Sequence, residues 1–257
     1  MCKDCGCSGE HHHHHTGELP HTHTAPDGST YTHTHDAAPS REAAIGTAVL
    51  SANDTVAAAN RKWFRERNIL ALNLISSPGS GKTSLLVETL KELKKRNIPA
   101  AVIVGDQYGS FDARRMQETG APVTQIETHS SCHLDAARIQ SVLNDAVPEG
   151  TKILFIENVG TLVCPVAFDL GEEAKIALLS TPEGEEKPLK YPALFAAAEL
   201  VLLTKIDLAQ VLEWNFDSSV ENMKQVNPDV QFIRISSKTG EGFDSWIQFL
   251  LNELQIG

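Results

Sequence analysis

Residues Ser76 to Thr83 read Ser-Ser-Pro-Gly-Ser-Gly-Lys-Thr, between an apolar run, Ile69–Ile75, and a stretch of helical spacing, Thr83–Arg96. A glycine-bearing turn at a strand-to-helix junction leaves consecutive backbone N–H groups pointing inward. The helix N-terminus adds its partial positive charge. Together these make a cradle for phosphate, a P-loop. In it Lys82 reaches the β- and γ-phosphates, and the Thr83 hydroxyl holds Mg2+. Gly79, Ser80, Gly81 and Ser84 are the remaining candidate contacts to nucleotide. Ser76 stands where the generic loop has its first glycine. The bland alternative is a Ser/Gly-rich turn that binds nothing, and the intact Gly-Lys-Thr at such a junction disfavours it.

Around this loop the chain alternates short apolar runs with longer amphipathic segments. The runs are Ile69–Ile75, Ala100–Val104, Lys152–Ile156, Leu200–Leu203 and Val230–Ile235; the helical stretches include Thr83–Arg96, Asp112–Glu118, Leu134–Leu143 and Phe243–Leu254. This alternation predicts an α/β fold, a P-loop NTPase with a mostly parallel sheet flanked by helices. Residues 41–67 predict a leading helix with a break near Asn53-Asp54, anchored at its end by Trp63 and Phe64. Residues 1–40 are poor in large aliphatics and rich in Gly, Thr, Pro and His, so a tail without order in the absence of metal is expected there. The expected division is therefore a Cys/His-rich metal-binding tail, 1–40, and a P-loop domain, 41–257.

Two further strands end in an acid. Val102-Ile103-Val104-Gly105-Asp106 is one, and Leu154-Phe155-Ile156-Glu157 is the other. Ligands bind at that edge of open α/β sheets. A carboxylate there binds Mg2+ or orients an attacking water, whereas each acid alone also reads as a helix N-cap. Asp106 is thus a candidate Mg2+ ligand with Thr83, and Lys82, Thr83, Asp106 and Glu157 form the candidate catalytic set. Leu203-Thr204-Lys205-Ile206-Asp207 resembles the Asn-Lys-x-Asp box of GTPases, with Thr204 in place of Asn. The Asp207 carboxylate accepts from both guanine N1–H and the exocyclic amine, a donor pair that adenine lacks. Ser236-Ser237-Lys238 resembles the small loop that closes over guanine. Lys205, Asp207, Ser237 and Lys238 therefore favour GTP over ATP, and with it a GTPase over a P-loop kinase or ATPase.

Cysteine and histidine are distributed unevenly. Nine of the eleven His lie from His11 to His35, and three of the five Cys are Cys2, Cys5 and Cys7. The Cys count is odd and the N-terminus lacks the apolar stretch of a signal peptide, so thiols in a reducing cytoplasm read as metal ligands before disulfides. Cys2, Cys5 and Cys7 present three thiolates to one ion; a terminal amine as fourth donor suits Ni(II), and a tetrahedral set suits Zn(II). The His11–His15 run reads either as an engineered tag or as a weak multi-ion binder. A third group lies inside the domain. Cys132 and Cys164 singly read as small buried hydrophobes. With His133 they offer two sulfurs and one nitrogen, a set that a symmetric dimer would complete. Gly160 is where a nucleotide switch senses the γ-phosphate, and Cys164 is four residues further on. A Gly160→Ala substitution should then uncouple nucleotide from metal affinity. No Gln or Arg is evident for aligning the hydrolytic water, which predicts slow intrinsic turnover. The formal charge of −11 opposes nucleic-acid binding, because phosphate neutralisation needs a basic face. No apolar run reaches the ~18–20 residues that span a bilayer.

Taken together, these motifs resemble the HypB family of GTPases that help insert nickel into [NiFe] hydrogenase. The resemblance rests on Met1–Cys7, the His-rich tail, Ala52-Asn53-Asp54 with Asn60-Arg61, Ser76–Thr83, Cys132-His133-Leu134-Asp135-Ala136 and Glu157-Asn158-Val159-Gly160 with Cys164-Pro165. It implies a metal-binding GTPase that forms GTP-favoured homodimers. It implies a tight nickel site at Cys2, Cys5 and Cys7, and an interface Ni or Zn site at Cys132, His133 and Cys164. It also puts Asp106 and Glu157 at switch positions near Mg2+, with Asp112 in the first switch segment. Ser76 agrees with the family's own loop. The partners implied are the small nickel chaperone HypA and the hydrogenase large-subunit precursor, with neither nucleic acid nor membrane. Three roles compete within this resemblance: a delivery switch, a nickel reservoir built on the His tail, and the related urease-maturation GTPase. The Cys-rich head and the pairing of Cys132-His133 with Cys164 disfavour the last.

Overall fold

The computed structural model describes residues 21–24, 30–33, 41–107, 111–129 and 131–256. Its internal contacts divide the chain into two units, 1–51 and 52–257. In the first, strands β1 (His21–Thr24) and β2 (Thr30–His33) pair antiparallel, with His21 opposite His33 and His23 opposite Tyr31. Cys2, Cys5, Cys7 and His11–His15 lie outside the described residues.

Helix α1 runs without interruption from Arg41 to Glu66, through the expected break at Asn53-Asp54. Asn53 is not a helix breaker here because its amide is spent on tertiary bonds. Its Nδ2 donates to Asp169 O at 2.8 Å, and its Oδ1 accepts from Ala136 N at 2.9 Å. Asn60, about two turns further along the same face, donates to Ala136 O and Leu170 O. Arg61 forks onto both Asp169 oxygens at 2.7 and 2.8 Å. These bonds give the Asn53 and Asn60-Arg61 motif residues a structural role, holding the chain around residues 136 and 169–170.

Seven strands form one parallel sheet: β3 (Leu70–Ser76), β4 (Ala100–Asp106), β5 (Val123–Glu127), β6 (Ile153–Glu157), β7 (Ala174–Ser180), β8 (Leu200–Thr204) and β9 (Gln231–Ile235). Their order is β5-β4-β6-β3-β7-β8-β9, and every neighbouring pair is parallel. The longer helices are α2 (Lys82–Lys95), α3 (Phe111–Gln117), α4 (Ala136–Ala146), α8 (Phe216–Val226) and α9 (Phe243–Ile256); α5 (Cys164–Ala167), α6 (Lys187–Lys190) and α7 (Pro192–Ala197) are short. All the expected strands and helices are present. The apolar-run criterion overlooks β5 and β7. β5 is an edge strand with one buried residue, so its sequence stays half polar. β7 carries Lys175, whose ammonium is neutralised by Glu172 at 2.8 Å, a partner that no local pattern shows.

Strand alternation divides the core. Leu72 and Leu74 face Leu85, Leu86 and Trp246, while Ala71 faces the layer of Phe64, Ile139 and Leu143. Connections run leftward from β3 to β4 and β5, return to β6, and then continue rightward from β7. The order thus reverses beside β3, at the carboxyl edge where such sheets bind ligands. Register sets the depth of the site: Glu157 lies opposite both Leu74 and Val104, so Ser76 and Asp106 each extend two residues beyond it. Among the described residues no helix is long and apolar enough to cross a membrane.

Candidate functional site

The turn after β3 adopts left-handed backbone at Gly79 (φ 73°) and Gly81 (φ 102°), which only glycine takes without strain. It wraps one wall of a cleft of about 520 Å³, lined also by Thr83, Ser84, Asp106 and Glu157. The Lys82 ammonium is buried and donates to Ser76 Oγ at 2.8 Å. The residue that replaces the generic glycine is therefore where the lysine rests. Burial lowers the Lys82 pKa, and the Glu157 carboxylate partly opposes that shift.

Thr83 Oγ1 donates to Glu157 Oε1 at 3.0 Å. The other oxygen, Glu157 Oε2, is buried and has no hydrogen-bond partner among the described residues. Burial raises this carboxyl to about 7, against the pull of Lys82. Between the ordinary 4.5 and about 7 the folded protein holds a proton that the unfolded chain releases. Stability is thus greatest below 4.5 and is lost as pH rises through 7. A shift of this size is worth roughly 3 kcal/mol. Without nucleotide and divalent metal, Glu157→Gln should remove most of the stability difference between urea melts at pH 5 and pH 8. An unchanged difference would place the proton elsewhere.

The donor set fits Mg2+. The Thr83 hydroxyl and the Asp106 carboxylate on the same cleft are hard oxygen ligands of the kind this ion prefers, and the Glu157 carboxyl, 3.0 Å from the Thr83 hydroxyl, stands beside them. Asp106 Oδ1 is oriented by the Gln107 N–H at 2.7 Å.

At the far end of the cleft, Thr204 Oγ1 donates to Ser80 O at 2.7 Å and Lys205 Nζ donates to Gly79 O at 2.6 Å. Both bonds tie the strand after Ala198 to the P-loop, so Thr204 can fasten the two segments with a hydroxyl. Asp207 Oδ1 accepts from Ser236 Oγ at 2.7 Å, and Ser236 Oγ in turn accepts from Lys238 N and Thr239 N. This turn brings Ser237 and Lys238 to the same edge. Ser237 is half-buried and Lys238 is exposed.

Three contributors escaped the sequence reading. Glu183, in the turn after β7, accepts from Ser180 N and Ser180 Oγ at 2.9 and 2.8 Å. Burial alone would raise its carboxyl, but hydrogen bonds led by Ser77 of the P-loop hold it below the usual range. The local signal was Ser180 with Glu183, a capping box. Gln107 and Arg115 both line the cleft, although the sequence makes neither evident as a residue to align the hydrolytic water. Each is already engaged: Gln107 Nε2 donates to Ser131 O at 3.4 Å, and Arg115 Nη2 donates to Ser84 Oγ at 3.2 Å. Their position follows from β4 and α3 packing, which a search for motif spacing does not detect.

Gly160 lies against the P-loop. A Cβ there would meet Pro78 atoms, backbone included, at 3.2 to 3.3 Å. Four residues on, Cys164 opens α5. The ligand atoms of Cys132, His133 and Cys164 all lie within 4.8 Å of one another, with Cys132 Sγ 3.7 Å from His133 Nδ1. His133 is 4% exposed and its ring stacks on Phe168 with centroids 3.9 Å apart, which sets the orientation of its nitrogens. Two thiols and an imidazole are donors for Ni(II) or Zn(II), and they leave a fourth position open.

Residues 70–234 match the family model described as CobW/HypB/UreG, nucleotide-binding domain. The hydrogenase maturation factor HypB of Rhizobium leguminosarum bv. viciae is 52% identical over 202 residues, 79% of this chain and 67% of that protein. The chain belongs to the HypB family. HypB from Helicobacter pylori, solved in complex with nickel, superposes with a TM-score of 0.74 at 36% identity, over 79% of this chain and 95% of that one. HypB from Archaeoglobus fulgidus gives 0.73 at 34% identity, over 80% and 100%. The family assignment agrees with a parallel sheet, a P-loop and a Cys/His cluster arising in one domain.

Proposed function

We propose that the chain is a GTP-hydrolysing nickel metallochaperone of the cytoplasm. Nickel is its cargo, and nucleotide state controls both the grip on that cargo and association into a homodimer. The observation that carries this reading is the closeness of two sites along one segment. Glu157 bonds Thr83 of the P-loop, Gly160 abuts Pro78, and Cys164 joins Cys132 and His133.

In this reading, Lys82 and the P-loop N–H groups hold the β- and γ-phosphates, Thr83 and Asp106 hold Mg2+, and Asp207 reads guanine. Mg2+ supplies the positive charge that offsets the phosphate oxygens. Glu157, with its unpartnered oxygen, orients the hydrolytic water. The Gly160 N–H senses the γ-phosphate. A partner copy would supply the fourth ligand to the Cys132, His133 and Cys164 set, with Ni(II) or Zn(II) at the dimer interface. Cys2, Cys5 and Cys7 form a separate nickel site. The small chaperone HypA and the hydrogenase large-subunit precursor, the partners implied by family membership, are the acceptors of the nickel.

Gln107 and Arg115 are both occupied, so unassisted hydrolysis should run below about 10⁻² per second, in the range of GTPases that await a partner. Phosphate release by the purified chain measures this, and many turnovers per second would refute it.

The test is a nickel titration with GDP bound and again with a non-hydrolysable GTP analogue, followed by light scattering. The delivery switch predicts that affinity shifts at least fivefold and that mass doubles with the analogue. If neither moves, the reservoir reading takes over. The nine His between His11 and His35 favour that alternative to this extent: several nickel ions per chain should vanish on deletion of residues 8–40.

A further inference from the structure

Asn158 follows Glu157 directly and lines the same cleft, and its side-chain oxygen reaches the backbone of the cysteine–histidine loop. Its Oδ1 accepts from Leu134 N at 3.2 Å and from Val159 N at 3.0 Å. Its Nδ2 donates to Asn73 Oδ1 on β3 at 3.2 Å. Asn158 is 1% exposed and Leu134 is fully buried, so water does not substitute for these bonds. Leu134 is the residue after His133. Three residues past Asn158, Thr161 Oγ1 donates to Cys132 O at 2.9 Å. The chain from 158 to 161 therefore grips the backbone around both members of the Cys132-His133 pair.

The other side of Asn158 is anchored. Asn73 Nδ2 donates to Glu172 Oε1 at 3.1 Å, and Glu172 is held by Leu170 N and by Lys175 Nζ at 2.6 and 2.8 Å. A chain of buried amides and one ion pair thus runs from the sheet to the cysteine–histidine loop, with Asn158 at the joint. A buried polar chain of this kind has few alternative arrangements, because each broken bond leaves an unpaired group in low dielectric.

We infer that Asn158 is a positioning residue that transmits nucleotide state to the nickel ligands, by coupling the backbone at 157–160 to Leu134 and hence to His133. The inference deepens the delivery-switch reading and rests on it. When the γ-phosphate draws the Gly160 segment, the Asn158 amide carries Leu134 N–H with it, while Thr161 carries Cys132. Cys164, on the same segment, moves relative to both. Gly160→Ala does not isolate this transmission, because its Cβ would also press on Pro78 and alter the P-loop.

The test uses the full chain, titrated with Ni(II) against a competing chelator, with saturating GDP or saturating non-hydrolysable GTP analogue. The nickel–thiolate absorption that disappears in Cys132→Ser reports the interior site. The readout is the ratio of nickel affinities in the two nucleotide states, which is independent of how tightly either nucleotide binds. The unsubstituted chain should give a ratio of at least about fivefold, the lower end of typical couplings. Asn158→Ala should bring that ratio to within about twofold of unity. A retained ratio in Asn158→Ala overturns the assignment to Asn158 while leaving the switch standing. A ratio near unity in the unsubstituted chain overturns the switch itself and the inference with it. If Asn158→Ala does not fold, Asn158→Ser decides: a reduced ratio supports the transmission and an unchanged one overturns it.

Discussion

Asp207→Asn is expected to convert guanine recognition into xanthine recognition. In the proposed reading Asp207 offers carboxylate oxygens to two donors on guanine, N1–H and the exocyclic amine. Ser236 Oγ fixes Oδ1 from the side at 2.7 Å, so the carboxylate is aimed before nucleotide arrives. An Asn at this position keeps one acceptor and turns the other atom into a donor. That donor then faces the exocyclic amine of guanine, and the bond becomes a repulsion. Charge-assisted bonds are worth about 1.5–3 kcal/mol each, so GTP affinity should fall by about 10² to 10⁴. Xanthine carries a carbonyl where guanine carries the amine, so the new donor finds a partner, and xanthosine triphosphate should bind more tightly than GTP. Competition of GTP, ATP and xanthosine triphosphate against a fluorescent nucleotide measures both changes. If Asp207→Asn leaves the preference untouched, the Lys205–Asp207 segment does not read the base.

The base end also shows how far sequence alone reaches. Thr204 departs from the Asn of the usual box, which weakens the match. In the structure its hydroxyl donates to Ser80 O at 2.7 Å, and the polar tie between P-loop and base loop is present. A motif records residue type, while the bond needs only a donor at the right place. The P-loop, the two strand-ending acids and the Cys132, His133 and Cys164 grouping were legible because each depends on local spacing or on an element boundary. Glu183, Gln107 and Arg115 were not, since their proximity to the cleft comes from how β7, β4 and α3 pack. Asn158 illustrates the gap most directly. Its neighbours Glu157 and Gly160 declare themselves at a strand end and at a switch glycine. Asn158 reads as one more polar residue until Leu134, 24 positions earlier, is found within hydrogen-bond distance. The same holds for Asn53 and Asn60, whose partners lie at Ala136, Asp169 and Leu170.

Lys82→Met should produce a more stable protein that hydrolyses almost no GTP. In the free protein the Lys82 ammonium is buried, and burial pulls its pKa down while Glu157 only partly restores it. Among the described residues its hydrogen-bonding partner is the Ser76 hydroxyl at 2.8 Å, a neutral group. A desolvated cation with so little compensation costs stability, and an unbranched apolar side chain of similar length relieves that cost. The thermal midpoint should therefore rise or hold in the absence of nucleotide. In the proposed reaction the same ammonium would meet the phosphate oxygens as negative charge builds on them. Loss of one such preorganised donor typically costs about 10²–10³ in rate, and a full cation in a dry site belongs at the upper end. Single-turnover hydrolysis should fall by about 10³. Removing Lys82 also removes the charge that holds the Glu157 carboxyl down, so Glu157 should take up its proton at higher pH than the 7 or so of the intact site. Three signatures thus accompany one substitution: a stabilised fold, a lost reaction and a Glu157 titration displaced upward. A structural lysine would show the first with its sign reversed and would leave the second small. A lysine poised for phosphate carries a desolvated charge whose cost a bound phosphate would offset.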